Sequence, residues 1–302
     1  MMNENFKNKL ESICENVLYD EPMKKHITFK VGGNADAFAS VKNEKEIIDV
    51  INLCKEENVD YYIIGNGSNL LVYDDGYRGL IIEIGKAFAD IKKIDDETFY
   101  ADSGVLLSKI AMYALENELA GFECLSGIPG TLGGGVVMNA GAYGGELKDV
   151  VESVKVLDDN GDVFVIKNED MKFGYRTSVV KEKGFIVLGA TLRLKKGNPE
   201  EIKSLMSDFN GRRRDKQPLE YPSAGSTFKR PEGYFAGKLI EDSGLRGYKV
   251  GGAQVSEKHC GFVINKGNAT CSDVLKLIED VKSKVLEDSG VTLEREVKII
   301  GE

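Results

Sequence analysis

Apolar residues recur along this chain with two periods. Over residues 43–59, Ile47, Val50, Ile51 and Cys54 fall three and four apart, the stripe of an amphipathic helix, with Asn43 as its cap and Glu46 three residues on. Residues 61–64 and 79–84 are short, largely apolar runs of strand type. Residues 98–101 predict a strand that leads into a helix over 106–119, where Leu107, Ile110, Ala111, Ala114 and Leu115 form the buried face and Gly121 the stop. Strands at 154–157 and 163–166 flank Asp159, Asn160 and Gly161, a strong hairpin signal. Residues 185–194 make one more strand, and a polar break at 195–199 precedes a helix over 200–214 that ends in three arginines.

The remainder reads as a separate unit. It holds a helix at 235–243 stopped by Gly244, strands at 248–255 and 261–265, a helix at 272–289 capped by Ser272 and ended by Gly290, and a closing strand at 292–300. No repeat or low-complexity segment interrupts this order. The chain's 302 residues exceed one compact core and suggest two or three domains.

Composition narrows the class. The charged fraction is 29 % and no apolar run reaches the roughly 18 residues of a membrane helix, so no membrane insertion is expected. The first 15 residues are polar, unlike a secretory signal, which predicts a cytoplasmic protein. A net charge of −9 argues against nucleic acid as a partner while leaving room for an anionic small substrate in a locally basic pocket. Five scattered cysteines without a CxxC pair fit reduced thiols, and two histidines are too few for a histidine-built metal site, so no metal is expected.

Two glycine-rich segments carry the candidate chemistry. The first, at 65–72, follows the strand at 61–64, and its candidate cofactor contacts are Gly65, Asn66, Gly67, Ser68, Asn69 and Leu70. Glycines there allow positive φ and close approach of a phosphate to backbone N–H groups. Leu70 replaces the third glycine of a Rossmann fingerprint, and no Gly-Lys-Ser/Thr follows, so neither that site nor a P-loop is present. Alone, a tight turn between strands explains the segment equally well. The second segment, 127–145, packs eight glycines into 19 residues and interleaves them with apolar side chains, which a solvated linker would not do. Its candidate contacts are Gly127, Pro129, Gly130, Thr131, Gly133 and Gly134, then Asn139, Gly141 and Ala142. A packed backbone with few side chains needs hydrogen-bond partners, which a long planar cofactor with a pyrophosphate would supply. A glycine-rich core crossing is the plainer alternative.

These segments, together with residues 27–33, 175–178, 224–229, 237–241 and 294–297, resemble the UDP-N-acetylenolpyruvoylglucosamine reductase family, block by block and in family order. The resemblance implies a mixed α/β and α+β fold: a two-subdomain FAD-binding fold of the vanillyl-alcohol oxidase type plus a C-terminal α+β substrate domain. The expected units are 1–84 and 85–215 around FAD and 216–290 over the substrate, with 291–302 packing back on the second unit. It also implies a reaction, in which NADPH reduces non-covalently held FAD and UDP-N-acetylglucosamine enolpyruvate is then reduced to UDP-N-acetylmuramate, a peptidoglycan precursor.

The same resemblance assigns roles. Ser226 is the proton donor, while Arg176 and Glu296 polarise the enolpyruvyl group, Arg176 clamping its carboxylate. Arg213 lies by the flavin and Lys216 meets the substrate diphosphate; Tyr175 is a candidate for lining the sugar site, and Lys229 and Lys238 are weaker candidates for the diphosphate. Read without the family, Ser226 is more simply a turn serine, Arg176 and Glu296 more simply exposed strand charges or a surface ion pair, and Arg213 with Lys216 equally a basic helix end complementing the helix dipole. No tyrosine stands between Thr177 and Arg214, where longer members carry a substrate-binding loop, so the chain resembles the shorter, second type. Two rivals share the cofactor loops or the nucleotide specificity: an oxidase that passes electrons to oxygen, and a nucleotide-sugar binding protein without flavin.

Overall fold

The computed structural model describes residues 2–301; residues 1 and 302, the outer ends of the expected first unit and of the closing strand, lie outside the described residues. A four-stranded sheet organises the first part. Its order is Asn16–Pro22, Asn34–Ser40, Tyr77–Glu83 and Tyr61–Ile64, with the first pair antiparallel and the others parallel. Both faces are covered, which is why the central strands read as near-continuous apolar runs. Leu80 and Ile82 join the cluster formed by the helices Glu4–Ile13 and Glu44–Glu56, whereas Ile81 between them joins a cluster on the other face. Asn43 caps Glu44–Glu56 as the sequence predicts, its side chain accepting from Glu46 N.

The second part is a five-stranded antiparallel sheet, ordered Val163–Lys167, Val151–Leu157, Ile186–Arg193, Thr98–Asp102 and Ile91–Lys93. The Asp-Asn-Gly hairpin forms. The helix Leu107–Glu116 covers this sheet's core, but it stops at Asn117 and Glu118, the latter at φ +56°, not at Gly121, which follows the two-residue strand Leu119–Ala120. The second glycine segment also departs from the sequence reading. Leu132–Met138 is a short helix inside it, held because Leu132 and Val136 are buried and because Leu132 N and Gly133 N donate to the carbonyls of Val105 and Ser103 at 2.8 Å.

The buried core of residues 217–300 is continuous with that of the first part. Phe228, Ile240, Leu277, Ile278 and Val281 share one cluster with Phe29, Phe38 and Leu71 of the first part. The expected strand at 248–255 is a hairpin of Lys249–Val250 and Ala253–Val255 that turns at Gly251. The helix Cys271–Ser289 is capped by Thr270 in a reciprocal box with Asp273, not by Ser272, whose hydroxyl and N–H are held by Asp74. The closing strand is limited to Lys298–Ile300. It pairs in parallel with Leu70–Val72 and so joins the first part, not the second as the sequence suggested. Three consecutive apolar or amphipathic residues met there an otherwise unpaired strand edge. Among the described residues no helix is long and apolar enough to cross a membrane.

Candidate active site

A cleft of about 1200 Å³ opens where the three parts meet, and the two glycine segments form one of its walls. They brace each other: Asn66 Nδ2 donates to Pro129 O at 2.8 Å, and a Cβ on Gly65 would stand 2.2 Å from Thr131 Oγ1. Gly67 sits at φ +58° against the backbone of His26 and Ile27. A Cβ on Gly133 would meet Ser103 Cβ at 2.8 Å. Side chains at these positions would fill the wall, so the glycines make a shallow cradle lined by backbone. All the candidate cofactor residues of the first segment line the cleft, as do Gly127, Pro129, Gly130, Thr131, Gly133, Gly134, Gly141 and Ala142.

Asn139 is placed differently. It is fully buried at φ +43° as the cap of Leu132–Met138. Its amide nitrogen donates to Glu146 and to Gly174 O, and its oxygen accepts from Lys148 N, so its side chain ties the segment together behind the cleft.

Two polar atoms in the cleft wall are buried without any partner: Ser103 Oγ and Arg213 Nε. Arg213 donates through Nη1 to Gly127 O at 2.5 Å and lies beside the Tyr143 ring, and burial lowers its pKa. A buried donor left unpaired costs about 1–3 kcal/mol. Orphaned donors beside a backbone cradle fit a group rich in acceptors, and the phosphates and ring edges of a flavin dinucleotide meet that requirement.

In the same cleft, Arg176 Nε donates to Glu296 Oε1 at 2.8 Å, with their side chains 24 % and 12 % exposed. Arg176 lies in a turn closed by reciprocal bonds between Gly174 and Thr177, and its φ of +56° costs a non-glycine residue about 1–2 kcal/mol. Ser226 reaches the same place through the backbone. Glu296 N donates to Thr227 O at 2.8 Å and Lys229 N to Glu294 O at 2.8 Å, so residues 227–229 run antiparallel to 294–296. Thr227 is further fixed by Val263 N, which donates to its hydroxyl. Ser226, the residue before this ladder, is exposed and lines the same cleft as Arg176 and Glu296.

Among the expected substrate contacts, three lie outside the cleft wall. Tyr175 Oη accepts from Arg230 N at 3.1 Å, Lys229 pairs with Glu294 at 2.7 Å, and Lys216 is exposed at the end of the helix Pro199–Lys216. Lys238 pairs with Asp242 on the surface. Sequence reading passed over Lys30, Ser103, Lys181 and Lys298, which do line it. Lys181 stands five residues after Arg176 on a one-turn helix, and Lys298 two residues after Glu296, a spacing that returns a strand side chain to the same face. With these the cleft wall carries five cationic side chains against Glu220 and Glu296, so the site is positive although the chain is net −9.

Comparisons with known proteins bear on the family and the fold. Residues 35–167 match the family model described as FAD binding domain, and residues 217–300 match that of the UDP-N-acetylenolpyruvoylglucosamine reductase C-terminal domain. A UDP-N-acetylenolpyruvoylglucosamine reductase of Clostridioides difficile (strain 630) is 55 % identical over 288 residues, which is 95 % of this chain and 94 % of the relative. That of Clostridium kluyveri (strain NBRC 12016) is 51 % identical over 301 residues, 99 % of this chain and 98 % of the relative. The crystal structure of UDP-N-acetylenolpyruvylglucosamine reductase (MurB) from Thermus caldophilus matches with a TM-score of 0.79 and 35 % identity, covering 94 % of this chain and 98 % of that one.

Proposed function

Because the chain belongs to the UDP-N-acetylenolpyruvoylglucosamine reductase family, we propose that the cleft is where its own residues carry the family's reaction. The protein is an FAD-dependent oxidoreductase that uses NADPH to reduce UDP-N-acetylglucosamine enolpyruvate to UDP-N-acetylmuramate, a peptidoglycan precursor. The observation that supports the residue assignment is that the Arg176–Glu296 pair and Ser226 line the same cleft as the glycine cradle.

The two glycine segments, Ser103 and Arg213 hold the FAD, and no histidine or cysteine among the described residues lines the cleft to bind it covalently. Bound FAD supplies the hydride. Hydride addition to the enolpyruvyl methylene carbon leaves an enolate that extends into the substrate carboxylate. Arg176 can pair with that carboxylate and stabilise its growing charge, while Glu296 fixes the guanidinium plane. Ser226 gives its proton to the carbon next to the carboxylate, which completes the saturated lactyl ether. A serine hydroxyl is a weak acid in water, but the proton goes to a carbon that is itself strongly basic at that moment, and the surrounding cationic side chains favour the alkoxide left behind. Residues 1–84 and 85–215 form the two FAD-binding units, 216–290 closes over the nucleotide, and the chain is of the shorter type. The reaction runs in the cytoplasm without nucleic acid.

A spectrum tests the whole reading. The purified protein reconstituted with FAD bleaches on NADPH addition without air, and its colour returns on adding the enolpyruvyl nucleotide. Colour returning only with oxygen would favour an oxidase, and failure to take up FAD would leave a binding protein. Ser103 gives a separate check on the cradle. Ser103→Ala is expected to hold or raise the melting temperature of the FAD-free protein, because an unpaired buried hydroxyl is removed, and to weaken FAD binding roughly 2- to 10-fold. Unchanged FAD affinity, measured by flavin fluorescence titration, would take Ser103 out of the site.

A further inference from the structure

Lys181 has no role in the reaction as described, yet it is the cleft lysine with the most specific contact. Its side chain is half-buried. It donates to the carbonyl oxygen of Arg176 at 2.8 Å, across the turn that puts Arg176 at φ +56°. We infer that Lys181 is a positioning residue that holds the Arg176 turn in its left-handed conformation and so keeps the guanidinium aimed between Glu296 and the substrate carboxylate. This inference rests on the role given to Arg176 above.

Three observations support it. The turn has little else to hold it: the Gly174–Thr177 bonds close it at 3.1 and 3.3 Å, but neither engages the Arg176 carbonyl. A left-handed residue that bears a side chain persists only where its surroundings over-determine it. Next, Lys181 is kept in an unfavourable place. Burial first, then the like charges of Lys298 and Lys229, lower its pKa, and Glu296 alone works the other way. A lysine serving only to complement the end of the helix Val179–Lys183 has no need to sit there, since Lys183 already does that from an exposed position. Finally, Ser178 fixes the base of that helix. It is fully buried, and its hydroxyl donates to Val137 O in the second glycine segment at 3.0 Å. Lys181 is therefore carried on an element anchored to the cofactor wall, and its bond to Arg176 O transmits that anchor to the substrate side.

The test uses FAD-loaded protein reduced with dithionite without air, then mixed with the enolpyruvyl nucleotide while the return of flavin absorbance is followed. Lys181→Met removes the donor and is expected to slow reoxidation roughly tenfold, since small misplacements of a positioned group are costly. Lys181→Arg keeps a cationic donor and is expected to recover most of the loss. Arg176→Lys is expected to be slow by itself, and adding Lys181→Met to it is expected to cost little more, because two residues acting through one contact are not additive. FAD affinity and the oxidised flavin spectrum report folding in each variant. Full speed in Lys181→Met, or a Lys181→Arg variant as slow as Lys181→Met, would overturn the inference. So would losses that multiply in the double variant, which would mean that Lys181 meets the substrate directly. If Arg176→Lys reoxidises at the normal rate, the role of Arg176 itself fails, and the positioning role of Lys181 with it.

Discussion

Ser226→Ala should be reduced by NADPH at close to the normal rate and then fail to pass the hydride on productively, its reoxidation by the enolpyruvyl nucleotide falling roughly 10²- to 10⁴-fold. The split follows from geometry. Ser226 is exposed at the mouth of the 227–229 ladder and makes no hydrogen bond to either glycine segment, so its loss leaves the FAD wall intact. What disappears is the proton for the carbon beside the substrate carboxylate. Addition of hydride without that proton leaves the enolate uncompensated, and a water reaching the same carbon is a poorly placed substitute. Stopped-flow absorbance of the two half-reactions separates the cases. Equal slowing of both would mean that Ser226 shapes the loop instead of donating.

Gly67→Ala is expected to have the largest effect on the protein as a whole. The φ of +58° costs an alanine about 1–2 kcal/mol. Its Cβ would stand 2.3 Å from His26 O and 2.9 Å from Ile27 Cα, both backbone or backbone-bound atoms that cannot swing aside. Forced overpacking of this kind adds roughly 1–3 kcal/mol. The carbonyl of Gly67 also accepts from Thr28 N, and Thr28 in turn donates to Ser223 O, so a shift of the loop loosens the approach of the substrate segment. A fall in melting temperature of roughly 5–15 °C, with loss of FAD on gel filtration, is the expected outcome. A variant that melts within a degree or two of the parent and keeps its flavin would show that the close approach at Gly67 is dispensable.

Much of the architecture is legible from local pattern, and the exceptions have physical causes. The cap at Asn43, the Asp-Asn-Gly hairpin and the stop at Gly290 all form, because each is decided by residues within one turn of each other. Ser272 fails as a cap because Asp74, distant in sequence, claims it, and Thr270 two residues earlier completes the box with Asp273. The helix Leu132–Met138 is hidden by three glycines, whose poor helix propensity is overridden by the carbonyls of Ser103 and Val105 and by burial of its apolar face. At the site, the glycine segments announce themselves by composition, and Arg176, Ser226 and Glu296 by the family pattern around them. The short ladder that joins 227–229 to 294–296 has no local signal at all. Nor does the cationic cleft lining, since Lys181 and Lys298 look like ordinary surface charges until the fold brings them to one wall.

The parallel pairing of Lys298–Ile300 with Leu70–Val72 also orders events in time. Lys298 N donates to Asn69 O, and Asn69 Nδ2 reaches Glu296 O across 227 positions of the chain. Contacts of such sequence separation form late, after the local hairpins and helices have appeared. The first glycine segment therefore waits for the chain's last strand before its geometry is complete. Secondary structure monitored by circular dichroism should return well before flavin fluorescence is quenched during refolding, and the lag between them measures how long residues 69–72 and 298–300 take to find each other.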